Sequence, residues 1–171
     1  MTELRRMVEF PADAMMQRVG PVVLLQRSAQ PASANPKLHE MMSRTVTLDG
    51  KRPVARQVLS LVLGVDDGVV IPLGAQDPDG SFTIGRAVDA AVRLDDPAVS
   101  GHHALVRYDG WKRQVWVSDL GSTNGTRVNG RRIAEETELI EGDAFTVGDS
   151  SAFLVLTTDT LHALLRQHAV R

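Results

Sequence analysis

From residue 56 onward, short apolar runs recur with polar and turn residues between them. The runs cover residues 58–63, 69–73, 82–84, 91–94, 104–108, 115–118, 144–147 and 152–156. The breaks carry Gly, Asp, Asn or Pro, as at 64–68, 74–80, 95–101, Asp109-Gly110, 121–125 and Asn129-Gly130. Many short strands with turn chemistry between them predict a β-sandwich or barrel. Helices long enough to alternate with the strands, as a parallel sheet needs, are missing from the pattern. The fold class expected is all-β, over about 100 residues, a usual sandwich size.

The flanks follow other patterns. Residues 12–19 predict a short helix after Pro11, ended by Gly20-Pro21, and 22–25 a brief strand. Residues 28–36 are small, polar and proline-bearing, which predicts a linker. Asn35-Pro36 is a helix-start signal for about two turns over 37–43. In the tail, Leu161, Leu164 and Leu165 share a helical face, with Thr158 or Asp159 as the cap. The division expected is therefore a mixed N-terminal extension of unassigned role (1–55), a sandwich (56–157) and a C-terminal helix (158–171).

Charge supports a boundary near residue 55. The 171-residue chain has 19 Lys+Arg and 21 Asp+Glu, a formal net charge of -2. Residues 1–55 carry eight basic and five acidic side chains, and residues 56–171 eleven and sixteen. This balance argues against general nucleic-acid binding, which shows a basic surplus. The absence of cysteine excludes disulfide scaffolds, Cys-ligated metals and thiol nucleophiles. The early apolar run 22–25 is far below the ~20 residues of a membrane span. No apolar segment of signal-peptide length follows Arg5 and Arg6. A cytoplasmic protein without membrane insertion is expected.

Three loop clusters border strands: Ile84-Gly85-Arg86, Ser100-Gly101-His102-His103, and the run 121–126 (GSTNGT). Their residue types suit an anion. Arg86 offers a planar fork of donors that matches phosphate oxygens. Ser100 and Thr123 supply hydroxyls, and Gly-containing loops can present a nest of backbone N–H groups. Asn124 carries a donor and an acceptor, which suits a peptide backbone. A carboxylate pair or general base is missing from the set, which reads as binding rather than turnover. Asn129-Gly130 reads as a plain hairpin turn. His102 and His103 are adjacent and face opposite sides of a strand, so joint metal binding is not expected, and one packed, hydrogen-bonded His is.

The ordered elements Ile84-Gly85-Arg86, Ser100-x-x-His103, the run 119–126 (DLGSTNGT), Val128-Asn-Gly130, Glu141-Gly-Asp143 and Val147-Gly148 resemble the forkhead-associated (FHA) domain. The likeness covers about residues 56–157. It implies a sandwich of about eleven short strands whose loops at one end bind phosphothreonine peptides, a phospho-motif mode of recognition. Carried over, it implies phosphate contacts from Arg86 and Ser100, an added one from Thr123, and a peptide-backbone contact from Asn124. Gly85, His103 and Gly125 match positions that structure the loops. Gly101 stands where many members carry Arg, Lys or Asn; its backbone N–H is the contact left. The lost charge-assisted bond corresponds to about 1.5–3 kcal/mol. Ala98 stands where some members read an acidic side chain three residues after the phosphothreonine, so no strong preference is expected there.

The resemblance implies a non-enzymatic adaptor in Ser/Thr kinase signalling of bacterial type, without metal or cofactor. Its partners would be a phosphothreonine protein or peptide and a Ser/Thr kinase. Thr45 and Thr47 are candidate phosphosites that the domain could capture. The rival is an FHA-fold scaffold with weak or lost phosphopeptide binding that docks through residues 1–55. Oligomeric state is left open.

Overall fold

The computed structural model describes residues 9–27, 68–74, 79–148 and 151–169. The helix expected over 37–43, the strand expected over 58–63, and Thr45 and Thr47 lie outside the described residues. Eleven strands and two helices are described, in the chain order α1 (Ala12–Val19), β1 (Val22–Arg27), β2 (Gly68–Leu73), β3 (Asp79–Gly85), β4 (Val92–Arg93), β5 (Ala104–Asp109), β6 (Gln114–Asp119), β7 (Thr126–Val128), β8 (Arg131–Arg132), β9 (Thr137–Leu139), β10 (Ala144–Val147), β11 (Ser151–Thr157) and α2 (Thr158–Ala169).

The strands form two sheets, ordered β2-β1-β11-β10-β7-β8 and β4-β3-β5-β6-β9. Their facing sides bury one core. β5 alternates inward and outward, with Ala104, Val106 and Tyr108 inside, and β6 adds Val115 and Val117. From the other sheet come Val22, Leu24, Phe145, Val147, Phe153 and Val155. Phe145 and Phe153 are cross-strand partners whose rings stack at 4.9 Å between centroids.

A second apolar cluster lies on the outer side of the six-stranded sheet. There Val23, Leu25, Val70, Leu154 and Leu156 meet Met15 and Val19 of α1 and Leu161, Leu164 and Leu165 of α2. β1 is thus covered on both faces, and a strand covered on both faces reads as a continuous apolar run rather than an alternating one. That is the physical reason for the unbroken Val22-Val23-Leu24-Leu25.

β1, which falls within the extension expected over 1–55, is built into this sheet, and α1 packs on its outer face. β1 pairs in full register with β11 on one side and β2 on the other. A charge boundary near residue 55 could not reveal this, because β1 neutralises its backbone by pairing with strands more than forty residues away. The C-terminal helix is present, but its cap differs from expectation. The Thr157 hydroxyl accepts from the Thr160 amide at 3.3 Å, the geometry of an N-cap. Thr158 is buried instead, with its hydroxyl donated to the Gly20 carbonyl and its amide to the Pro21 carbonyl. Asp159 sits exposed in the first turn, where its charge suits the helix dipole.

Candidate functional site

The loops β3–β4, β4–β5 and β6–β7 meet at one end of the sandwich. Beyond β3 and β5 the two loops stay bonded to each other, since Arg86 N–H donates to the Ser100 carbonyl and Ala87 N–H to the Gly101 carbonyl, both at 2.9 Å. These bonds put Arg86 beside Ser100. It also leaves no room at Gly85: a Cβ there would meet the Gly101 carbonyl oxygen, with Gly101 C at 2.8 Å and His102 Cα at 3.0 Å. Glycine is required for that close approach. The Arg86 Nε donates to the Val99 carbonyl at 3.3 Å, which orients an exposed guanidinium. Among the described residues no carboxylate pairs with it.

The β6–β7 loop closes over from the other side. Thr123 N–H donates to Ser100 Oγ at 3.1 Å, and Asn124 Nδ2 donates to the Ala98 carbonyl at 2.7 Å. Ser100 Oγ accepts from Thr123, so its own proton can still be donated to a ligand. The Thr123 side chain is exposed. Among the described residues, no donor is bonded to the Asn124 side-chain carbonyl oxygen. Gly101 is exposed, and a Cβ there would touch only Ala87 Cβ at 3.7 Å.

His103 ties the β4–β5 loop to the β6–β7 loop from inside the protein. It is fully buried. Its Nδ1 accepts from Ser100 N–H at 3.1 Å, so a neutral ring carries its proton on Nε2, which donates to the Gly125 carbonyl at 3.1 Å. Gly148 N also lies 3.2 Å from Nε2. A protonated nitrogen cannot accept from it, so the bond to Gly125 is the one that fits. Gly125 adopts φ +80°, a left-handed conformation that suits glycine.

One contributor escaped the sequence reading. Asp119 accepts from Gly121 N–H, Ser122 N–H, Ser122 Oγ and Thr126 Oγ1 at 2.6 to 3.1 Å, and so folds the loop that presents Thr123 and Asn124. Partial burial pushes its carboxyl up, but the bonds from Ser122 and Thr126 outweigh this and hold it below the ordinary aspartate value. The signal was available, because Asp followed by Gly-Ser at two and three residues is an Asx-turn pattern. Arg132 of β8 lies against this loop at Gly125. His102, exposed, bonds Asp89 of the β3–β4 loop at 3.0 Å. Asn129-Gly130 has φ +49° and +80° and joins β7 to β8, the two-residue hairpin turn expected.

An exposed Arg, neutral donors and the Asn124 amide thus converge on loops at one end of a two-sheet sandwich. The sequence profile of the FHA domain matches residues 82–148. Residues 82–148 are thus an FHA domain. It is 41% identical to the FHA domain-containing protein FhaA of Mycobacterium tuberculosis over 91 residues, 53% of this chain and 16% of FhaA. It is 30% identical to the transcriptional regulatory protein EmbR of the same species over 122 residues, 70% of this chain and 30% of EmbR. A crystal structure of the FhaA FHA domain complexed with the intracellular domain of Rv3910 is similar at 39% identity and a TM-score of 0.45, covering 53% of this chain and 92% of that one. The chain thus spans less than a third of the length of FhaA or EmbR. Among the described residues, no helix is long and apolar enough to cross a membrane.

Proposed function

We propose that this chain is a phosphothreonine-peptide-binding module, acting without catalysis as an adaptor downstream of a Ser/Thr protein kinase in the cytoplasm. In this reading Arg86, Ser100, the Gly101 amide and Thr123 hold the phosphate, and Asn124 holds the peptide backbone. Gly85, His103 and Gly125 shape the loops. The folding unit would comprise residues 12–27 with the strands that follow residue 67.

The observation that carries the reading is the Ser100 hydroxyl. It is bonded by the Thr123 amide from one side, while the Arg86 amide bonds the Ser100 carbonyl from the other. An Arg fork and neutral hydroxyl and amide donors are thereby gathered on one exposed edge. A phosphothreonine brings about -1.5 to -2 charges and three acceptor oxygens, which this set can satisfy. The relatives support it in kind, since FhaA is known in complex with a protein domain.

The test is titration of a phosphothreonine peptide library against the wild type and Arg86→Ala. Micromolar binding that falls by about tenfold to a hundredfold or more in the variant is expected, the loss of a charge-assisted bidentate contact. Equal, weak binding by both proteins would remove this reading in favour of a scaffold that does not use the site.

A further inference from the structure

The β7–β8 hairpin presents Arg127, Arg131 and Arg132 within six residues, and Arg127 lies directly opposite Arg132 in the ladder. Like charges in such a pair disfavour the hairpin. Arg132 is exposed, and among the described residues no carboxylate is paired with it. Its guanidinium lies close against the β6–β7 loop: a Cβ built on Gly125 would meet Arg132 Nε, with Cζ at 2.7 Å and Nη2 at 3.0 Å. Gly125 directly follows Asn124. It is itself fixed by the Ser122 hydroxyl at its amide and by His103 at its carbonyl. A planar cation is therefore held one residue from the amide proposed to hold the peptide.

The β3–β4 and β4–β5 loops carry Asp89, Asp95 and Asp96, with Arg93 on β4 between them in sequence. Asp89 bonds His102, and Asp96 accepts from the Ala98 amide. Asn124 binds the carbonyl of that same Ala98, so Asp96 borders the Asn124 side too, and Arg132 is the cation set there against Gly125. An exposed guanidinium fork without a partner is suited to a carboxylate or phosphate taken up in two parallel bonds.

We infer that Arg132 is a second anion contact of this site, which reads an acidic or phosphorylated side chain lying near the phosphothreonine on the Asn124 side. The inference rests on the phosphothreonine reading above. The ligand class narrows to phosphothreonine peptides with a second anionic group on one side only.

The experiment uses the full chain and a phosphothreonine peptide with alanine flanks. A single aspartate is walked along both sides of the phosphothreonine, and phosphoserine is then placed at the best position. Affinities are measured for the wild type, Arg132→Ala, Arg132→Glu and Arg86→Ala. In the wild type, aspartate at one or two neighbouring positions on one side should tighten binding by about threefold to fivefold, the scale of an exposed ion pair. Phosphoserine there should exceed aspartate if a second phosphate is the natural group, and match it if a carboxylate is.

Arg132→Ala should bind the alanine-flanked peptide as the wild type does and lose the aspartate gain. Arg132→Glu should reverse it. Arg86→Ala should lose every peptide. A gain that survives Arg132→Ala, or no gain at any position while the alanine-flanked peptide binds, overturns the inference and leaves the phosphothreonine reading standing. Equal weakening of all peptides by Arg132→Ala, with Arg132→Glu giving no reversal, shows that the side chain only packs on Gly125, and also overturns it. If the wild type binds none of the peptides, the phosphothreonine reading itself fails.

Discussion

Gly85 and Gly101 face each other across the β3–β4 and β4–β5 loops, yet they are glycines for different reasons. Gly85 has the Gly101 carbonyl against it and cannot carry a side chain, whereas Gly101 has open space where a Cβ would go. Only the second is a vacant place for function. Gly101→Arg should therefore fold normally and add a charge-assisted contact to the bound phosphate. A gain in phosphothreonine-peptide affinity of about tenfold is expected by isothermal titration. An unchanged affinity would mean that the phosphate does not lie over residue 101. Asp119 acts at the same scale, through acid stability. Its folded pKa lies below the ordinary value, so its stabilisation is complete above the usual aspartate range of about 3.9 and fades as pH falls through the lower folded value. Thermal melts of the wild type should lose stability below about pH 4. Asp119→Asn should be less stable at pH 7 and show a flatter dependence through the acid range. An Asn variant with the wild-type slope would assign the acid transition to other carboxylates.

At the scale of elements, β1 links the two apolar clusters. Leu24 faces the sandwich core while Val23 and Leu25 face the helices, and all three are buried. Leu24→Ala should lower stability by about 2–5 kcal/mol, measured by denaturant unfolding. A much smaller cost would mean that another apolar run of the chain, such as 58–63, can occupy the slot. The elements also show what the sequence could and could not disclose. α1, β2, β3, β5, β6, β10 and β11 follow apolar runs and turn residues, so they were legible. β7, β8 and β9 were not. β8 is two exposed arginines, and β9 is three residues with one buried side chain. No periodicity exists over so few positions, and only pairing with neighbours makes them strands. The loop residues Arg86, Ser100 and Asn124 were legible through an ordered motif. Asp119 was legible only to someone counting the turn, and Arg132 not at all, because its approach to Gly125 depends on hairpin geometry.

At the scale of the whole molecule, the proposed phosphate site belongs to a body whose charge opposes its ligand. Residues 56–171 carry eleven basic side chains against sixteen acidic ones. Electrostatic steering, which raises association rates when potentials are complementary, cannot come from such a net charge. Arg86 acts at contact distance, well inside the screening length of roughly 8 Å at physiological salt. The long-range repulsion is screened more strongly than that contact. The two effects of added salt therefore oppose each other. Association with an alanine-flanked phosphothreonine peptide should proceed without steering, at about 10⁵–10⁷ M⁻¹s⁻¹. Between about 50 mM and 500 mM salt, where the screening length falls severalfold, the rate should hold level or rise slightly. Stopped-flow measurement would check this, and a steep fall with salt would show that a basic surface, rather than a placed arginine on an acidic body, captures the ligand.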